Sequence, residues 1–344
     1  MKAETVQGGQ TTGIGSLPHH NIDAALEYAF RYDIPFLPQI PLRNPWEFSV
    51  PQGLDGLPGI RVEKDGSALL DTSVWVGRAK AFDEKLQHAF ELAADSSAFE
   101  AFEPSAATSS SWQPFLWELQ ERETRVAKIQ TVGPLTAQWT LRSTENASLD
   151  RMPSSGDISG QVFRLVLARA LGMSRRLKSL GVTPLLFLDE PALFVLNPQN
   201  PVHLLGLQQL KLLVQTLQKE SVTVGIHCCS NTQWDVVAGL GIDVLSFDVR
   251  LSLESVLSNA EWVKNYVAGG GRFGFGTVPT SEGDVEQGRS LKRAVSRQLK
   301  ECVPSISEQV FTEALWTPAC GLALNSPSDA EMIKRELDFD RMPT

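Results

Sequence analysis

Short apolar runs of strand length alternate with longer helix-periodic stretches along most of this chain, and that alternation confines it to an α/β architecture. The strand-like runs span residues 11–16, 35–40, 127–135, 185–189, 222–229, 244–249, 273–278 and 315–320. Helical patterns lie at 22–32, 162–180, 202–219, 233–240, 253–267, 284–302 and 329–337. In the first of these, Ile22, Ala25, Leu26 and Ala29 form one stripe behind Asn21, a residue type that caps helices. Eight strands with intervening helices predict a single (β/α)8 TIM barrel. An open doubly wound sheet is the alternative, but its glycine-rich phosphate fingerprint is missing after the first strand. With 344 residues, 42% of them hydrophobic, the chain can bury a large core, and residues 1–344 read as one domain.

The connection between the second and third strands, approximately 43–112, is too long for a simple crossover. It contains Asn44-Pro-Trp-Glu47, a Gly/Pro/Asp-rich stretch at 51–59, a helical pattern at 80–94, and a Ser/Ala-rich stretch at 104–112. Insertions of this length are lids, binding elements or disordered segments.

A net charge of -9 and the lack of a basic run argue against nucleic acid or an anionic membrane as partner. The first residues carry no apolar stretch of signal-peptide type, and no long apolar segment follows, so a cytoplasmic location is expected. Four cysteines in such a chain point to metal or catalytic roles rather than a disulfide framework. Cys302, which has no ligand-type neighbour, reads as ordinary packing.

The step His227-Cys228-Cys229 closes an apolar run. Side chains at i and i+2 of a strand share a face, so His227 and Cys229 point together and Cys228 points away. Asp248 and Cys320 end two later strand-like runs. In a barrel these four groups meet at one rim, as a set of zinc ligands does. Taken singly, each cysteine is more simply a buried packing residue, and the shared rim is what favours a metal. Zn2+ coordination would deprotonate a bound thiol, whose free pKa is about 8.5. Two cysteinates and a carboxylate would leave the centre net negative and its thiolate electron-rich.

Six motifs, in order, resemble the C-terminal catalytic barrel of cobalamin-independent methionine synthase, within the uroporphyrinogen decarboxylase-like superfamily. They are Thr12-Gly-Ile-Gly-Ser-Leu-Pro, Val132-Gly-Pro-Leu-Thr with Trp139, Leu188-Asp-Glu-Pro-Ala-Leu, Ile226-His-Cys-Cys, Asp243-Val-Leu-Ser-Phe-Asp and Thr317-Pro-Ala-Cys-Gly-Leu. The resemblance implies a zinc-dependent methyltransferase that methylates the thiol of homocysteine to form methionine. It implies His227, Cys229, Asp248 and Cys320 as zinc ligands, with Asp248 where the family has Glu. Asp189, the catalytic carboxylate of this reading, would take the substrate ammonium, with Glu190 beside it. Ile14, Gly15 and Ser16 would supply donors to the substrate carboxylate. Trp139 would stack on the pterin of the methyl donor. His19 and His20 read as exposed loop residues.

The departures fall on the donor side. The chain has no counterpart of the family's N-terminal barrel, its Glu after strand two, or its Arg-Cys step between strands three and four. The donor is therefore methylfolate or a methylcorrinoid, the latter free or carried by a corrinoid protein. The competing readings are a corrinoid-dependent thiol methyltransferase, a metal-free uroporphyrinogen decarboxylase-like enzyme, and a non-catalytic barrel that binds zinc or an amino acid.

Overall fold

The structure, a computed structural model, describes residues 5–144, 158–281 and 284–339. Its strands in chain order are β1 (Ile60–Val62), β2 (Ala68–Leu70), β3 (Val126–Val132), β4 (Arg142–Ser143), β5 (Thr183–Asp189), β6 (Thr223–Cys228), β7 (Val244–Asp248), β8 (Arg272–Val278) and β9 (Leu315–Pro318). Six of them form one parallel sheet in the order β3-β5-β6-β7-β8-β9, with helices in the connections between successive strands. Two extended segments near the N-terminus bridge its two edges. Thr11 pairs with Trp316 of β9, Ser16 with Gln39, and Phe36 with Lys128 of β3, all parallel.

The strand period of two separates the buried residues into two layers. Leu186 and Leu188 of β5 join the large core between sheet and helices. Leu185 and Phe187 of the same strand point the other way, into a small separate cluster with Val6, Ile34, Val244 and Leu315. Gly225 on β6 makes this inner packing fit, because a Cβ there would lie 2.4 Å from the Phe187 ring.

Several boundaries differ from expectation for local reasons. The strand expected at 127–135 stops at Val132, because Pro134 opens a helix, Pro134–Thr140, with its fixed φ at the first turn. The helix expected at 253–267 is two helices, Val249–Leu257 and Ala260–Ala268; the Asn259 side chain accepts from Glu261 N–H and restarts the chain. The first helix is Ile22–Ala29, capped by Asn21 as expected, and then tightens into i→i−3 turns through Tyr32. Cys302 is exposed at a helix end rather than packed.

The long insertion is folded. β1 and β2 form a hairpin, and helix Thr72–Glu91 packs on helix Ile158–Ser179, with Trp75 Nε1 donating to Gln161 Oε1 at 3.0 Å. Glu47 ties the start of the insertion to its end: the fully buried carboxylate accepts from Ile40 N–H (2.8 Å), Ser110 N–H (3.1 Å) and Ser110 Oγ (2.6 Å). No described helix is long and apolar enough to cross a membrane.

Candidate metal centre

The C-terminal ends of β6 and β9 bring three ligand-type side chains together. His227, Cys229 and Cys320 each present one ligand atom, and these atoms lie within 4.8 Å of one another. Ligand atoms around a tetrahedral zinc are about 3.5 Å apart, from bonds of about 2.0–2.3 Å, so small adjustments suffice. His227 is buried, and Ser246 on the neighbouring strand holds its Nδ1 at 3.0 Å. Its Nε2 has no hydrogen-bond partner among the described residues. A buried imidazole nitrogen left bare while its sibling is fixed by a hydroxyl is the pattern of a metal-ligating histidine. The donor set therefore fits zinc.

The two thiols are linked. The nearby Cys320 thiol, and then the His227 ring, pull Cys229 down to about 4. Its nearness to Cys229, together with burial, pushes Cys320 up. The geometry thus favours a thiolate at Cys229. Both cysteines are half-buried, so a small molecule can reach them. Cys228 faces away, fully buried, with its Sγ 3.2 Å from Ser230 O.

Asp248 is not in this cluster. Its carboxylate caps helix Val249–Leu257, accepting from Arg250 N–H at 2.8 Å, and pairs with the Arg250 guanidinium at 3.4 Å. An aspartate is one methylene shorter than the glutamate it replaces in the resemblance, and here that short reach serves the helix start.

Asp189 ends β5 in register with His227. It is buried, and its Oδ1 has no partner among the described residues. Burial raises its carboxyl to about 6, against the opposing pull of Lys128 and then His227. Glu190, expected beside it, turns away and is fully buried. Its carboxylate accepts from Leu135 N–H (2.9 Å), Thr136 N–H (2.7 Å) and Thr136 Oγ1 (2.7 Å), capping helix Pro134–Thr140. Adjacent residues leaving a strand point in opposite directions, so one acid faces the cluster and the other a helix end. Gly133 is required there, since a Cβ would lie 2.1 Å from Glu190 Oε1.

The first extended segment reaches the same end of the sheet. Ser16 Oγ sits 2.1 Å from where a Cβ on Gly321 would be, directly beside Cys320, and Ser16 O accepts from Leu322 N–H at 2.8 Å. Gly15 has φ +152, and a Cβ there would strike Gln130 and Gln39, so its close approach is to the protein's own side chains. The Ile14 carbonyl is taken by Lys128 Nζ at 2.6 Å. Lys128 and the unpartnered Thr317 hydroxyl are buried polar groups that sequence patterning did not single out. The apolar-polar alternation of Val126-Ala-Lys-Ile-Gln-Thr-Val was the available signal for the first.

Trp139 lies elsewhere. It stacks at 30° on His203, centroids 4.3 Å apart, and lines a cavity of about 320 Å³ with Arg142, Ser159 and Asn200. None of His227, Cys229, Cys320 or Asp189 lines that cavity. His19 is buried against Tyr28, not exposed, whereas His20 is exposed as expected.

Neither a protein-family model nor a curated protein matches the chain. Among solved structures, a methyltransferase from Methanosarcina mazei superposes with a TM-score of 0.53 at 14% identity, covering 99% of this chain and 95% of that one. A B12-independent methionine synthase from Shewanella sp. W3-18-1, in complex with selenomethionine, gives a TM-score of 0.43 at 15% identity over 66% of each chain. A putative vitamin-B12 independent methionine synthase from Listeria monocytogenes gives 0.42 at 15% identity, covering 67% of this chain and 70% of that one. The chain thus spans about two thirds of the length of the Shewanella protein. What is shared across nearly the whole chain is the fold of the Methanosarcina protein.

Proposed function

We propose that this chain is a zinc-dependent methyltransferase acting on the thiol of homocysteine, built on a single (β/α)8 barrel in which the two N-terminal segments complete the six-stranded sheet. One observation carries the reading: His227 Nε2, which has no hydrogen-bond partner among the described residues, and the Cys229 and Cys320 thiols converge, with the likewise unpartnered Asp189 Oδ1 on the adjoining strand. The name of the Methanosarcina protein that shares the fold agrees with it.

His227, Cys229 and Cys320 would hold the ion, and Ser246 occupies the imidazole Nδ1, which leaves Nε2 free to bind. A zinc held by three protein groups keeps one place for an exogenous ligand and stabilises a bound thiol as its thiolate at neutral pH. Asp248 serves as a labile fourth group, since it must release Arg250 to reach the centre. Asp189 receives the substrate ammonium, and the Gly15–Ser16 backbone with the Ser16 hydroxyl receives its carboxylate. Trp139 has one ring face covered by His203 and stands apart from the cluster, which favours a methylcorrinoid over methylfolate as donor. The experiment that tests the reading is turnover of homocysteine by the zinc-loaded protein with each donor. Failure to form methionine with either would remove it.

A further inference from the structure

Lys128 is fully buried in β3 and has no part in the function proposed above. Its Nζ donates to Ile14 O at 2.6 Å and lies 3.0 Å from Gln130 Oε1. It also stands 4.8 Å from the Phe187 ring centroid, on the inner layer of the sheet. Gln130 is itself oriented, because its Nε2 donates to Leu37 O at 2.8 Å. Burying an ammonium costs several kcal/mol, and a methionine would fill similar space without that cost, so packing alone does not account for a lysine here.

Two consequences follow for the neighbours. A trans peptide holds its N–H opposite its C=O, and the described residues contain no cis bond. Fixing Ile14 O on Lys128 therefore directs the Gly15 N–H away from the lysine. Neither the Gly15 nor the Ser16 N–H meets an acceptor among the described residues. Asp189 ends the paired strand, four residues beyond Leu185, the partner of Lys128, and its Oδ1 is unpartnered among the described residues. The peptide that Lys128 fixes and the Asp189 carboxylate, at the end of the strand paired with β3, offer the two halves of a site for a zwitterion.

We propose that Lys128 is the positioning residue of this amino-acid subsite: by fixing the Ile14–Gly15 peptide, it makes the centre select an amino-acid thiol over a plain alkyl thiol. The proposal rests on the thiol-acceptor reading above. It is tested on the zinc-loaded full chain by calorimetric binding and by steady-state kinetics with homocysteine and with 1-propanethiol, which lacks both charged groups. Lys128→Met is expected to retain zinc, to weaken homocysteine binding about tenfold or more through KM with kcat little changed, and to leave propanethiol binding within about threefold. Lys128→Arg, which keeps the donors and the charge, should restore most of the discrimination. Equal weakening of both thiols, or unaltered homocysteine binding in Lys128→Met, would overturn the proposal while leaving the acceptor reading intact. A parent protein that binds neither thiol would overturn both. Should Lys128→Met fail to fold, Gln130→Met removes one of the two acceptors holding Nζ and should give the same selective loss at smaller size; a non-selective loss there would also overturn the proposal.

Discussion

His227 Nδ1 and Ser246 Oγ lie 3.0 Å apart on paired strands, and this contact decides which imidazole nitrogen is left for a metal. A hydroxyl at Nδ1 fixes the ring and leaves Nε2 facing the two thiols. We expect about one zinc per chain, and Ser246→Ala to weaken its binding roughly tenfold to a hundredfold. Competition with a chromophoric chelator measures this. An unchanged affinity would mean that Ser246 is only a packing partner.

Removing either thiol should be more severe. Cys229→Ser and Cys320→Ser each delete one of three converging ligands, so both should lose zinc in metal analysis of the purified protein. Asp248→Asn should keep zinc, because its carboxylate is engaged with Arg250. Full zinc retention in both cysteine variants would refute the centre.

Asp189→Asn separates substrate binding from metal binding. The variant keeps the side-chain shape and removes the charge, so zinc content should stay near that of the parent. Homocysteine affinity should fall roughly tenfold to a hundredfold, as for loss of a charge-assisted hydrogen bond worth about 1.5–3 kcal/mol. Loss of the metal instead would show that Asp189 supports the ligands rather than the ammonium.

Glu190 is predicted to matter for stability. Glu190→Ala leaves the Leu135 and Thr136 N–H groups and the Thr136 hydroxyl without their acceptor, at a cost of about 3 kcal/mol in urea denaturation. Burial pushes this carboxyl up to about 7, against the hydrogen bonds from Thr136 and Leu135. An unfolded glutamate titrates near about 4.3, so the folded state binds the extra proton between these values. Its contribution is present in full below that range and is lost as pH rises through about 7. The Tm difference between parent and Glu190→Gln should therefore shift in favour of the variant from pH 4.5 to 7.5 (roughly the window set by those two pKa values). A difference independent of pH would contradict a raised carboxyl.

The donor is decided by side-by-side turnover with methylcobalamin and methylfolate. Methylcobalamin should support the faster reaction, and Trp139→Ala should change that rate by less than about threefold. Efficient methylfolate turnover that vanishes in Trp139→Ala would instead assign the indole to the pterin.

Periodicity and residue type were enough to place the six strands of the parallel sheet and to single out His227, Cys229 and Cys320, because strand alternation and soft-ligand chemistry are local properties; the runs at 11–16 and 35–40 form only isolated bridges. The same local rule showed that Cys228 must face away. What it could not supply was which polar groups spend their bonding capacity on the protein itself. Asp248 became a helix cap paired with Arg250 just beyond it, and Glu190 became the cap of helix Pro134–Thr140 through contacts with residues distant in the chain. Lys128 carries no motif, and its burial depends on Ile14, Gln130 and Phe187 meeting around it. His19 likewise is buried in the tertiary structure, where it packs on Tyr28. A sequence shows which side chains are able to bind a metal or a charge; the tertiary structure determines which of them are left unsatisfied, and among the described residues His227 Nε2 and Asp189 Oδ1 are two that are, side by side on paired strands.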